Sequence, residues 1–341
     1  MGFMELSFIA EISGNHNGNL ERALEIVRAA ADSGATHVKI QTYTPDSITL
    51  NSSQPAYRVD AGHVLWGGKT LYELYQGAYT PYEWHSEIFS LTRKLGMVPF
   101  STPFDESAVG FLETFDLQLF KIASLEIVDL PLIKRVAETK KPLIISTGTA
   151  TLEEVDEAVG AAHSAGCQDL TLLVCTSDYP ADPKLANLAR IPFLRDRYDC
   201  HVGISDHSMG THVALAAIAL GASVVEKHIT LDRNDGGVDS AFSATPEEFK
   251  SLVLLGREVE SAVGLSSSWG LAEEGQSRRH RPSIIITKDI RKGELLTQDN
   301  IATLRPNIGL PPKFMDLVLG MRAIADIERG SGLRESDVEN D

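Results

Sequence analysis

Eight short apolar runs recur between residues 6 and 230: LSFIAEI (6–12), HVKIQ (37–41), MVPFST (97–102), LQLFKIAS (117–124), PLIIST (142–147), DLTLLVCTS (169–177), HVGIS (201–205) and SVVEKHIT (223–230). They are rich in Val, Ile, Leu and Phe and do not alternate strictly with polar residues. That is the pattern of strands covered on both faces of a parallel sheet. Amphipathic stretches lie between them. Leu20 to Asp32 sets Ala23, Leu24, Val27 and Ala30 at three-four spacing, which predicts a helix with one face on a core. Asp129, Thr151 and Thr245 stand where helix caps belong, the last two followed by acidic residues. Eight β-then-α units predict an α/β fold, a (β/α)8 barrel; an eight-stranded doubly wound sheet is the competing arrangement.

Residues 43–80 form a long insertion after the second run, in an aromatic-rich stretch that includes Tyr57, Trp66, Tyr72, Tyr75 and Tyr79. Long βα loops in barrels shape the substrate mouth. Near residue 264 the pattern changes. GLSSSWGLAEEGQSRRHRP (264–282) is polar and Gly/Ser-rich and reads as a linker. The expected organisation is a barrel over 1–263, a linker over 264–282 and a small unit over 283–341. That unit has short strands and tight turns at Lys292-Gly293 and Arg329-Gly330. It is near the size limit for a stable core and is expected to dock on a barrel.

Charge narrows the function. The 341 residues carry a net charge of −16, which argues against nucleic-acid backbone binding as the main role. A few lysines can still build a positive pocket for a small anion. No run approaches the roughly 20 apolar residues of a membrane helix. MGFMELSFIA lacks the basic region of a secretory signal, and an odd number of cysteines with no disulfide framework makes a reducing cytoplasm the expected compartment. Cys167, Cys175 and Cys200 form no C-x-x-C pair and are expected to be buried apolar filler.

In a barrel, catalytic residues come from the C-terminal strand ends. Here those ends are repeatedly polar. The first ends in Glu11, followed by SGNHNG. The second carries Lys39 and Gln41, two residues apart and so on one face. Thr102, Lys121, Ser124, Ser146 and Ser205 sit at the ends of later runs. A buried ammonium needs an anionic partner. Either each lysine pairs with a barrel glutamate, or the two lysines and the hydroxyls make a phosphate or carboxylate pocket. His207 and His228 end neighbouring strands about 4.8 Å apart, close enough to share a divalent metal or to serve separately as hydrogen-bonders. His16 can touch substrate or hold its own loop. Asp239, in DGGVDSAF, stands on a loop that can reach the mouth or is a plain surface turn.

FIAEISGNHNGNLERAL, VKIQTY, FSTPFDESAVGFL, FKIASLEIVDLPLI, PLIISTGTATLEE, VGISDHSMG and VVEKHIT resemble, in order, the sialic acid synthase family. The tail resembles that family's antifreeze-like SAF domain. The resemblance implies a transferase that condenses phosphoenolpyruvate with an amino sugar to give a nine-carbon ulosonic acid and phosphate. LWGGKTLYELYQGAYTPYEWH (65–85) and DGGVDSAFS (235–243) are similar to the branch acting on 2,4-diacetamido-2,4,6-trideoxy-altropyranose, with the neuraminate and legionaminate branches as alternatives. The resemblance also implies roles. His207 and His228 hold Mn²⁺ or Mg²⁺. Lys39, Thr102, Lys121, Ser124, Ser146 and Ser205 bind phosphoenolpyruvate, with Ser177 where neuraminate synthases carry asparagine. Glu11 and Asp239 are catalytic. Gln41 and Tyr179 lie at the sugar, and Arg305 reaches the sugar across a domain-swapped homodimer. Two other readings stand beside it. One is an aldolase with a Schiff-base lysine at Lys39 or Lys121; the other is a non-catalytic sugar-binding barrel.

Overall fold

The computed structural model describes residues 6–63, 65–264 and 275–339. The chain divides into two compact units, Met1–Val263 and Gly264–Asp341. In the first, eight parallel strands close into a barrel. They are β1 (Ser7–Glu11), β2 (His37–Thr42), β3 (Val98–Pro103), β4 (Phe120–Ile122), β5 (Leu143–Ser146), β6 (Leu170–Cys175), β7 (His201–Ser205) and β8 (Val224–His228). β1 pairs with both β2 and β8, which closes the sheet and excludes the doubly wound alternative. The fourth strand is shorter than its run: only Phe120–Ile122 stays in the ladder.

Side-chain alternation explains why so many strand ends are polar. Phe8, Ala10, Val38, Ile40, Ile122, Leu172, Val174, Val202, Ile204 and Val225 belong to the large core shared with the helices. Ile9, Phe100, Leu119, Ile144, Leu173 and Val224 form a separate cluster. The two sets alternate along the strands, so the second is the barrel interior. Two residues farther along lie Glu11, Thr102, Lys121, Ser146, Cys175 and Glu226, one layer above this apolar plug. Gly203 marks how tight the plug is. A Cβ there would collide with the Val224 carbonyl oxygen and lie 2.8 Å from Leu173.

The helix Leu20–Asp32 forms over its predicted span and buries Ala23, Leu24, Ile26, Val27 and Ala30. Asp129 accepts from the Leu132 amide, Thr151 forms a capping box with Glu154, and Thr245 exchanges hydrogen bonds with Glu248. Each such cap stabilises its helix by about 1 kcal/mol. The 43–80 insertion contains helical turns at Pro45–Ile48 and Pro55–Tyr57, then the helix Leu71–Ala78, started by a Thr70–Glu73 capping box. This helix packs on the turn Ser13–His16. Glycine at position 14 lets the two approach closely: a Cβ there would meet the Ala78 Cβ at 3.0 Å and the Val238 Cβ at 3.2 Å.

Of the linker expected over 264–282, residues 265–274 lie outside the described residues, and Gly275–Arg278 is a helical turn. The second unit pairs β9 (Ser283–Ile286) with β10 (Ile301–Leu304), and β11 (Arg322–Ala323) with β12 (Val338–Glu339). Its own core gathers Ile284, Ile286, Ile290, Leu296, Ile301, Val318, Ala323 and Leu333. Gly293 and Gly330 take φ of 82° and 90°, as tight turns require. Among the described residues, no helix is long and apolar enough to cross a membrane.

Candidate active site

Strand register assembles a charged cluster in the barrel mouth. Glu11 stands opposite Lys39 across β1 and β2, and opposite His228 across β1 and β8. The Lys39 ammonium pairs with Glu11 Oε2 and lies 3.6 Å from Glu226 Oε1. Lys121 Nζ donates to both Glu226 oxygens, at 3.1 and 3.2 Å. Ser205 donates to Glu226 Oε1 at 2.9 Å, and Lys39 reaches Thr102 Oγ1 at 3.4 Å. All six side chains are buried. Each lysine thus has a barrel glutamate as its partner. Burial alone raises the Glu226 carboxyl, but Lys121 and then Lys39 hold it down at about 2. Burial raises Glu11 above the ordinary carboxylate value against the pull of Lys39. For Lys39, burial is overcome by Glu11 and Glu226, and the ammonium stays charged.

His207 and His228 lie beside this cluster with ring centroids 5.2 Å apart. His207 Nδ1–H donates to the Thr176 carbonyl at 2.9 Å, which leaves Nε2 with the ring's lone pair. Burial, then the neighbouring His207, takes His228 well below its ordinary value, so its ring is neutral. Its Nδ1 is buried without a hydrogen-bond partner among the described residues, 3.6 Å from Asp239 Oδ2. A neutral, unsatisfied imidazole beside an oriented one suits a divalent ion. Among the described residues, no group of three or more His, Cys, Asp or Glu is arranged to hold one. The pair therefore fits only a site completed by substrate or water oxygens.

The hydroxyls divide. Ser124 and Ser177 share a hydrogen bond of 2.8 Å, while Ser146 Oγ is buried with no such partner among the described residues. Cys175 is buried as expected but lies in this layer, its Sγ 3.9 Å from His207 Nδ1 and 3.8 Å from Ser177 Oγ. His16 holds its loop. Its ring nitrogens contact the Gly18 amide at 3.1 Å and Thr80 at 3.4 Å.

A cavity of about 200 Å³ opens onto this layer. Gln41, Tyr179, His228 and Asp239 line it. Gln41 donates to Glu11 at 3.3 Å and to Ser13 at 3.1 Å, and Ser13 in turn donates to Asp239. The Tyr179 ring lies 4.5 Å from His207. Glu11, Gln41, Tyr179, Asp239 and the histidine pair are thus brought together. Arg305 lies in the second unit, exposed, just after β10.

Two residues gain a role only here. Glu226 was legible in principle, since it stands two residues before His228 and shares its face. Glu126, on the turn Leu125–Val128, carries no such sequence signal. It lines the cavity with Oε2 buried and without a hydrogen-bond partner among the described residues, and burial pushes it up to about 7.

Comparison with known proteins is consistent with this geometry. The NeuB family model matches residues 26–268, and the SAF domain model matches residues 281–339. The chain is 44% identical over 330 residues to the pseudaminic acid synthase of Campylobacter jejuni subsp. jejuni serotype O:23/36 (strain 81-176), covering 96% of this chain and 95% of that one. It is 35% identical to the N,N'-diacetyllegionaminic acid synthase of Campylobacter jejuni subsp. jejuni serotype O:2, covering 96% and 98%. The crystal structure of N-acetylneuraminic acid synthetase from Leptospira borgpetersenii serovar Hardjo-bovis, in complex with citrate, matches with a TM-score of 0.72 at 29% identity. It covers 81% of this chain and 91% of that one. A barrel with this mouth, followed by a SAF domain, belongs with these synthases: the chain is a member of the NeuB family.

Proposed function

We propose that this chain is a pseudaminic acid synthase. It condenses phosphoenolpyruvate with 2,4-diacetamido-2,4,6-trideoxy-β-L-altropyranose and water, giving pseudaminic acid and phosphate by C–O cleavage. The carrying observation is the barrel mouth, where a buried layer holding Lys39, Lys121, the Ser146 hydroxyl and the His207–His228 pair adjoins a sugar-sized cavity lined by Gln41, Ser124, Tyr179, His228 and Asp239. The 44% identity to an enzyme of that name supports the choice of sugar. Legionaminate or N-acetylneuraminate synthesis is the second reading, favoured by the 35% identity to a diacetyllegionaminic acid synthase.

In this reading Lys39 and Lys121 hold the phosphoenolpyruvate anion, helped by Thr102, Ser124, Ser146, Ser177 and Ser205. Each ammonium has three donors, so it can bind a substrate oxygen while keeping its glutamate. Glu226 favours the charged form of both lysines against burial and spaces them. Gln41 and Tyr179 orient the open-chain sugar, so that C3 of the enol meets the aldehyde carbon. That bond forms with the enol electron pair, and positive charge develops at C2 near Glu11. Water adds at C2 and gives its proton to Glu11. Asp239 is assigned the proton that goes to the former aldehyde oxygen. The C2–O bond to phosphorus then breaks, its electrons leave with phosphate, and the C2 hydroxyl gives its proton to that departing phosphate as the ketone forms. His207 and His228 would hold Mn²⁺ or Mg²⁺, which supplies Lewis-acid polarisation of a carbonyl when bound.

A phosphoenolpyruvate substrate and three unpaired cysteines support a cytoplasmic location. Arg305 is assigned to the partner's sugar site in a domain-swapped homodimer. The test is phosphate release from phosphoenolpyruvate with Mn²⁺, offering the altro-configured sugar and N-acetylmannosamine in parallel. Release with the first alone is expected. Release with N-acetylmannosamine alone moves the enzyme to neuraminate synthesis, and release with neither overturns the reading.

A further inference from the structure

The reaction requires the sugar carbonyl near the charged layer. The rest of the open chain must then run along the cavity away from Lys39 and Lys121. There the lining includes Ile48, Trp66, Leu74, Phe104 and Val238, contributed by separate segments. Trp66 joins them. Its indole Nε1 donates to the Val238 carbonyl at 2.8 Å. Its ring stacks on His63 at 4.8 Å and 7°, and lies 5.7 Å from Tyr179. One side chain of the insertion is thus tied to the residue preceding Asp239 and to the tyrosine beside His207. The insertion is itself anchored on the barrel through the close approach of Ala78 to Gly14.

We propose that Trp66 determines specificity: with Val238 it forms an apolar wall that accepts the C6 methyl group of a 6-deoxy sugar and disfavours a C6 hydroxyl. This rests on the pseudaminate reading. Indole has a single donor, and Val238 already takes it. A hydroxyl pressed on this wall gives up water and gains no partner in return. A methyl group there buries apolar surface at no such cost. The diacetamido trideoxy sugar carries three methyl groups, two on acetyls and one at C6, so its chemistry matches the wall along its length.

The test compares kcat/KM for the 6-deoxy sugar and its 6-hydroxy counterpart in the full-length wild type, Trp66→Phe and Trp66→Ala. The wild type is expected to prefer the 6-deoxy sugar by about 10- to 100-fold, the range an apolar pocket achieves against an added hydroxyl. Trp66→Phe keeps an apolar ring and should keep most of that preference. Trp66→Ala should bring the two sugars within about threefold, through the sugar KM, with the KM for phosphoenolpyruvate unchanged. Unaltered preference in Trp66→Ala overturns the inference and leaves the function standing. A wild type with no preference also overturns it. A wild type inactive on both sugars overturns the pseudaminate reading and this inference together. If Trp66→Ala does not fold, Val238→Ser alters the same wall from the other loop; an unchanged preference there overturns the proposal.

Discussion

At Glu226 one carboxylate meets two buried ammonium groups, Lys121 at 3.1 Å and Lys39 at 3.6 Å. Removing one partner of a buried ion pair costs about 3–5 kcal/mol, because the others stay buried and charged. Glu226→Gln should therefore lower stability by that order in urea titration and abolish phosphate release. Its carboxyl is held below the ordinary value, so its stabilisation is complete above about pH 4.5 and fades as pH falls toward 2. Glu126 has the opposite sign. Its folded value of about 7 lies above the ordinary 4.5, so the native state binds the extra proton between those limits. Stability is lost as pH rises from about 4.5 to 7. Glu126→Gln should flatten that slope and raise stability at pH 8 by about 1–3 kcal/mol, with little effect below about pH 4. An unchanged Tm–pH slope in the variant would count against this account of Glu126.

Strand alternation connects these residues to their elements. An inner residue followed two places later by a polar one recurs around the barrel, as in Ile9–Glu11, Phe100–Thr102, Leu119–Lys121 and Val224–Glu226. Much of this mouth was therefore legible, because period two is set by the extended backbone itself. The partner of each lysine was not. Register and barrel closure brought Glu226 of β8 to Lys121 of β4, which are far apart in sequence. The insertion shows the same division: its aromatic content was readable, but its docking on Ser13–His16 depends on one close approach. Gly14→Val would drive a side chain into the Ala78 and Val238 Cβ atoms. Such overpacking costs about 1–3 kcal/mol. The expected result is faster proteolysis within residues 45–70 and a higher sugar KM, with the barrel's circular dichroism preserved. Thr151→Ala removes only a cap, and should cost about 1 kcal/mol in denaturant titration without altering activity.

For the whole molecule, the barrel and the SAF domain each hold their own core, and each can be probed in the intact chain. If Arg305 serves the partner's sugar site, Arg305→Ala and Glu11→Ala should each be inactive alone, and mixed heterodimers should recover part of the activity. Heterodimers shown to form without rescue would argue against a shared site. The net charge of −16 does not oppose anion binding, since Lys39 and Lys121 act at contact distance in a buried layer, where screening is weak.

Residue order by itself determined the eight-strand count, the caps, the polar strand ends and the family likeness, because backbone periodicity, capping chemistry and ordered motifs are local or linear properties. Tertiary structure alone decided which glutamate faces which lysine, that Glu126 lines the cavity, and that Trp66 closes on Val238. Those contacts depend on barrel closure, strand register and loop docking, which bring together side chains whose separation along the chain carries no record of their distance.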